Sequence, residues 1–194
     1  MFVLEIFSLL EGLGLLIMAM INKITPNIYY HIISKKTDKV LDIDAVAGSE
    51  NGGAVQLYDK IGGENQQFKF VLAGDGLYKI VCRSSKKPID IVSVGSSNGA
   101  QLHQWEDSSV ETQIWKIKFN KDGYFKIISK YSSRVMDAGL DDVNNARVKI
   151  WDDFDSDNQL WYLERPSSNS GAGSKKATKK PIPVKKTKLK SKIC

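Results

Sequence analysis

The sequence predicts an all-β domain built from three copies of one four-strand unit. Two observations carry that expectation. First, three segments of equal length align without a gap: Tyr30 to Ile43 (YHIISKKTDKVLDI), Tyr78 to Ile91 (YKIVCRSSKKPIDI) and Phe125 to Ala138 (FKIISKYSSRVMDA). Second, each is followed, in the same order, by a turn, an aromatic-ended strand and a Gln-x-aromatic triplet. The aspartates at the ends of the segments, Asp42, Asp90 and Asp137, are 48 and 47 residues apart. A fixed period of this size marks a repeat architecture.

Each aligned segment opens on an aromatic and an alternating apolar run, passes through a Lys- and Ser-rich stretch, and ends in a short apolar run holding one Asp. That is the pattern of a hairpin. A turn follows at Gly53-Ala54, Gly99-Ala100 and Asn145-Ala146, where Gly and Asn tolerate positive φ. The third strand reads VQLY (Val55 to Tyr58), LHQW (Leu102 to Trp105) and VKIW (Val148 to Trp151). Ten residues past its aromatic come Phe68, Trp115 and Trp161, each two residues after Gln66, Gln113 or Gln159. Their equal spacing assigns these three aromatics to a shared core. The glutamines are expected to satisfy backbone groups where repeats meet, since buried amides must be paired. No unit this small buries a core alone. Closure into a barrel with a hairpin cap removes exposed strand edges.

The chain divides into an apolar segment (1–27), the repeat domain (28–166, with repeats 28–76, 77–123 and 124–166), and a Ser/Gly linker with a Lys-rich tail (167–194). Phe2 to Ile21 is long enough to span a membrane, but Glu5 and Glu11 interrupt it and no Lys or Arg precedes it. Three readings stay open: a degenerate signal or anchor, an amphipathic helix, or a start called too early, with Met18 and Met20 just before the domain. A signal or anchor places the protein outside the cell or at its surface; an early start leaves it cytoplasmic. The formal charge of +6 is unevenly spread. Lys175 to Cys194 holds nine Lys and no acid, leaving 19 basic and 22 acidic residues in the remainder, a balance of −3. Such a tail has too little apolar surface to fold, and Lys175 to Lys192 suits polyanions. Cys82 lies in an apolar strand and reads as a small buried hydrophobe; two cysteines make no disulfide framework.

The threefold Gln-x-aromatic, Gln66-Gln67-Phe68, Gln113-Ile114-Trp115 and Gln159-Leu160-Trp161, resembles the Q-x-W repeat of ricin B-type lectins and family 13 carbohydrate-binding modules. The resemblance implies a β-trefoil and a sugar site in each repeat that keeps its polar set. It implies an Asp at the pocket floor accepting hydrogen bonds from two sugar hydroxyls, an aromatic stacking on the ring, and an Asn before the Gln donating to a hydroxyl. The chemistry is reasonable: a pyranose has a C–H face for an aromatic and hydroxyls for a carboxylate. Carried over, the first set is Asp42, Tyr58, Asn65 and Gln66, with Gln56 two before the aromatic. The third is Asp137, Trp151, Asn158 and Gln159, with Lys149. The second, Asp90, His103, Trp105 and Gln113, has Thr112 in place of the Asn and is expected to be weaker.

Signatures of catalysis are missing from the sequence. There are two His, His31 and His103, and neither a zinc-protease motif nor a nucleophile elbow is present. Asp153, Asp155, Asp157 and Glu164 match positions of a calcium loop, but its required Gly is Asn158. The reading is therefore a non-catalytic, multivalent glycan-binding module for neutral, clustered sugars, without cofactor or metal. The rival is a trefoil interaction scaffold whose tail binds polyanions. Shape conservation suggests that Asp42→Asn and Asp137→Asn spare the fold while removing binding.

Overall fold

A computed structural model describes residues 24–167. The N-terminal apolar segment up to residue 23 and the Lys-rich tail lie outside the described residues. Thirteen strands run through the described residues: β1 Tyr29–Ser34, β2 Val40–Ile43, β3 Val55–Tyr58, β4 Phe68–Gly74, β5 Leu77–Cys82, β6 Ile89–Ile91, β7 Leu102–Gln104, β8 Trp115–Phe119, β9 Phe125–Ser129, β10 Val135–Asp137, β11 Ala146–Arg147, β12 Lys149–Trp151 and β13 Trp161–Glu164. The strand order repeats with the sequence, the third strand of the last repeat being broken at Val148 into β11 and β12.

The first and last strands of each repeat form a closed ring. β1 pairs with β4, β4 with β5, β5 with β8, β8 with β9, β9 with β13, and β13 with β1, all antiparallel. Closure removes the edges at which further strands would add. Six of the remaining strands form three hairpins, β2–β3, β6–β7 and β10–β12, and β11 pairs with β3 of the first repeat. Barrel and hairpins together make the β-trefoil.

Tight turns repeat with the same symmetry. Asp38, Lys86 and Ser133, each four residues before a repeat's Asp, all take positive φ, from 59° to 62°. The cap turn takes positive φ at Gly52, Gly99 and Asn145. In the first repeat this is one residue earlier than the Gly53-Ala54 pair picked out by sequence; counted back from the strand aromatic the three are equivalent, each six residues before Tyr58, Trp105 or Trp151. Each of these residues donates its N–H to the next repeat around the axis: Gly52 to the Gln104 carbonyl, Gly99 to Ile150 and Asn145 to Leu57, all at 2.9 Å. The three hairpins are thereby tied into a cycle.

Phe68, Trp115 and Trp161 are fully buried in the core expected of them, with Leu41, Ile91 and Ile150 among their companions. Cys82 is buried there too. Ile24, which the sequence places in the N-terminal segment, is 4% exposed and joins the same core, and Asn27 donates its N–H to the Phe70 carbonyl at 2.9 Å. The two indoles also donate to the strand beside them: Trp115 Nε1 to the Ile89 carbonyl at 3.3 Å, and Trp161 Nε1 to the Met136 carbonyl at 3.2 Å. Phe68 makes no such bond, so the position tolerates loss of the donor. Trp161→Phe is therefore expected to cost about 1 kcal/mol, and Trp161→Ala about 3–5 kcal/mol through the cavity it opens. Urea unfolding of the two variants checks the order.

Candidate functional site: three carboxylates held by the Gln-x-aromatic turns

In every cap hairpin the Asp stands directly across from the residue two before the aromatic: Asp42 from Gln56, Asp90 from His103 and Asp137 from Lys149. Opposed residues share a face of the ribbon. The register therefore sets a constant carboxylate beside a variable polar side chain.

The three carboxylates are nearly buried, at 3%, 6% and 4% exposure for Asp42, Asp90 and Asp137. A buried charge persists only when hydrogen-bonded, and each is. Asp137 Oδ1 accepts from the Gly139 N–H at 2.6 Å, and its Oδ2 from Asn158 Nδ2 at 3.0 Å and Gln159 Nε2 at 2.9 Å. Asp42 Oδ1 accepts from Gln56 Nε2 at 3.1 Å, and its Oδ2 from Asn65 Nδ2 and Gln66 Nε2, both at 3.0 Å. Asp90 accepts from the Ile91 N–H at 2.7 Å and from Gln113 Nε2 at 2.9 Å. Burial pushes the Asp42 carboxyl above its ordinary value, with Asp44 adding repulsion, against the pull of its amide partners.

The glutamines sit in short 3-10 turns, Glu64–Gln66, Glu111–Gln113 and Asp157–Gln159. Each is fully buried and has two tasks. Its amide nitrogen donates to the Asp and to the carbonyl just after the strand aromatic: Gln66 to Asp59 at 2.9 Å, Gln113 to Glu106 at 2.8 Å, Gln159 to Asp152 at 2.8 Å. Its amide oxygen accepts loop N–H groups, from Ile61 and Gly62, from Ser108, and from Phe154. The sequence reading put this role where repeats meet. Instead, each glutamine serves its own repeat and fixes the Asp relative to the aromatic.

The repeats differ in what remains free. A carboxylate has about four lone-pair positions, and Asp42 and Asp137 each use three, which leaves room for one more hydrogen bond rather than two. Asn65 spends both amide hydrogens, on Asp42 and on the Ile43 carbonyl at 2.9 Å. Asn158 spends one, on Asp137, and the other has no acceptor among the described residues. The Asn donor implied by the resemblance thus survives in the third repeat and is consumed in the first. Thr112 is buried and supplies no amide to Asp90.

Around Asp137 these groups line a cleft of about 380 Å³ with Trp151, Asn158, Lys149, Leu140 and Phe154. Leu140 and Phe154 are 74% and 68% exposed, and neither was singled out from sequence. The available signal was an apolar residue three positions after the Asp and three after the aromatic, in loops that are otherwise polar. The first repeat has the exposed Ile61 in the place of Phe154; the second has Ser93 and Ser108 at the two positions. Lys149 Nζ lies over the Trp151 ring at 5.0 Å. His103 instead stacks on Trp105, centroids 5.0 Å apart and planes 25° apart, covering a face of the indole. Burial, with Arg147 nearby, holds His103 below its ordinary pKa despite Asp90, so it is neutral at pH 7.

The acidic run of the third repeat already holds a cation: Lys126 Nζ is 2.6 Å from Asp153 and 2.9 Å from Asp155.

A model of the ricin-type β-trefoil lectin domain-like family matches residues 21–105 and 64–151. The two overlapping stretches take in well over half of the chain, which belongs to that family. A designed threefold-symmetric protein, ThreeFoil, is 33% identical, with a TM-score of 0.68 over 70% of this chain and 96% of that one. An exo-β-1,3-galactanase from Clostridium thermocellum is 27% identical, with a TM-score of 0.68 over 73% of this chain and 31% of that longer one. A ricin B-like lectin from Macrolepiota procera, solved in complex with lactose, shares the fold at 21% identity and a TM-score of 0.65, over 74% of this chain and 99% of that one. Comparison with curated proteins returned no match.

Gln159→Leu keeps the bulk of the side chain and removes every bond it makes. It strands the Asp152 carbonyl and the Phe154 N–H, so a loss of about 2–4 kcal/mol is expected, measured by chemical denaturation. The same change at an exposed glutamine, Gln101, is expected to cost under about 0.5 kcal/mol.

Proposed function

We propose that the chain binds carbohydrate without catalysis, through the Asp137 cleft first, the Asp42 site second and the Asp90 site least. One observation carries this reading. In the third repeat a fixed carboxylate, a free amide donor and an indole converge on a single open cleft with apolar walls. That set matches a pyranose: hydroxyls for the polar floor, C–H groups for the indole. Membership of a lectin-domain family supports it, as do fold neighbours solved with lactose or a sialylated glycan bound. Sites this open bind weakly one at a time, and three on one rigid body gain avidity on clustered glycans. Nothing in the comparisons favours the rival scaffold.

The geometry changes which variant tests the site. Both oxygens of Asp42 and of Asp137 accept hydrogen bonds, and a carboxamide offers only one acceptor oxygen. Asp→Asn therefore turns an NH2 toward existing donors and disturbs the turn as well as the ligand. Trp151→Leu is cleaner, because the indole is half exposed. It is expected to lower glycan-array signal at least tenfold while leaving the unfolding midpoint within about 0.5 kcal/mol of the parent. Full binding by Trp151→Leu would sink the assignment.

The middle repeat has two deficits, so Thr112→Asn alone is expected to add nothing. Thr112→Asn combined with His103→Gln, which copies the first repeat and uncovers Trp105, is expected to raise affinity at that site. Titration in a Trp151→Leu background reads it. In the same background, acidification tests the first repeat. An ionised Asp42 accepts more strongly from sugar hydroxyls than a protonated one, and burial raises its pKa. Binding is thus expected to fade on lowering the pH sooner than an ordinary carboxylate near 4 would dictate. By linkage, the raised value makes the fold lose stability as pH climbs from the unfolded pKa through the folded one.

A further inference from the structure

A second cleft, also of about 380 Å³, abuts the Asp137 cleft and shares Gly139, Leu140 and Lys149 with it. It is built by two repeats. Gly99 and Gln101 come from the turn of the second, and the loop from Gly139 to Arg147 comes from the third. The Gln101↔Lys149 bridge holds the two sides together. Gly99, at φ 88°, lies within 3.6 Å of the Trp151 ring, measured from where its Cβ would stand, so the same turn backs both clefts.

The charges here differ from those of the first cleft. Arg147 and Lys149, two residues apart, both line the second cleft, facing one acid, Asp141. Neither cation has a carboxylate partner among the described residues. Arg147 Nη2 donates to Gln101 Oε1 at 3.0 Å, which steadies the guanidinium. Its remaining N–H donors stay available, in a planar fork suited to a carboxylate or sulfate.

We propose that this second cleft is a subsite for an anionic sugar unit, bearing a carboxylate or sulfate, linked to the neutral unit held at Asp137. The inference rests on the carbohydrate reading above. It makes the third repeat a two-unit site whose outer half selects for negative charge, whereas the inner half recognises hydroxyls and a C–H face. The first two repeats carry the cap turn but not this cation pair: the positions of Arg147 and Lys149 are filled by Ala54 and Gln56 in the first and by Gln101 and His103 in the second.

The test uses the full chain and matched probes: lactose against 3′-sialyllactose and 3′-sulfolactose, and xylobiose against xylobiose bearing glucuronic acid. The variants are Arg147→Gln, Trp151→Leu, and Lys121→Gln, the last making a similar charge change on the β8–β9 turn. For at least one neutral core, the acidic member is expected to bind about threefold to tenfold tighter than its neutral partner. That margin is expected to shrink as salt rises from about 0.02 to 0.5 M. Arg147→Gln is expected to erase the margin and leave neutral binding unchanged; Lys121→Gln is expected to keep it. Trp151→Leu is expected to weaken both members, because the anionic unit is anchored through the neutral one. Preference for sialic acid over sulfate, or the reverse, identifies which anion fits. Neutral binding without an Arg147-dependent margin overturns the subsite and leaves the lectin reading standing. A margin equally lost in Lys121→Gln assigns it to overall charge and overturns the subsite as well. If no neutral or acidic probe binds, the carbohydrate reading fails and the subsite with it.

Discussion

The structure turns on a buried glutamine side chain, used three times. A carboxamide has two donors and an acceptor in one plane, and Gln66, Gln113 and Gln159 use all of them. One hydrogen goes to the aspartate, the other to the carbonyl after the aromatic, and the oxygen gathers the N–H groups of the loop between. Buried without partners, the amide would destabilise the fold; fully satisfied, it makes a rigid brace. Carboxylate and aromatic are spaced by that brace within the fold itself.

The aromatic two residues after each glutamine completes the link from binding surface to core. The turn that presents Asn158 and Gln159 to Asp137 runs directly into Trp161, whose indole donates to the carbonyl of Met136, the residue before Asp137. One short segment thus touches the carboxylate from the polar side and its strand from the apolar side. The Trp115 turn does the same through Ile89. The Phe68 turn packs equally well but lacks the indole bond, so the first repeat is held by one fewer link.

Much of this was legible in the sequence, because it is periodic. The hairpins and the core aromatics follow from spacing alone; the bond from each Gln to its own Asp does not, because spacing does not say which buried group an amide meets. What was hidden depends on where a side chain turns once the backbone is set. Gln56 and His103 occupy equivalent positions, yet one reaches the carboxylate and the other lies on the indole. Asn65 and Asn158 read as identical, but a nearby carbonyl absorbs the second hydrogen of Asn65. Leu140 sits in a loop whose length differs between repeats, so period-based alignment gave no reason to compare it; Phe154 sits in a loop of constant length, where its counterparts Ile61 and Ser108 share no single character that marks the position. The left-handed turn residue, Gly52 and not Gly53, was hidden because two adjacent glycines are equally able to take positive φ.

The barrel is sealed between the two ends of the described chain: His31 in β1 lies opposite Glu164 in β13. That contact joins residues far apart in sequence, and such contacts are slow to form because the intervening loop must first be closed. During synthesis, β1 emerges well before β13, and its outer edge waits for that strand. Until then the growing domain carries an unpaired edge open to neighbouring chains. Closure of the ring protects the finished molecule and, by the same topology, leaves its own assembly exposed to the end.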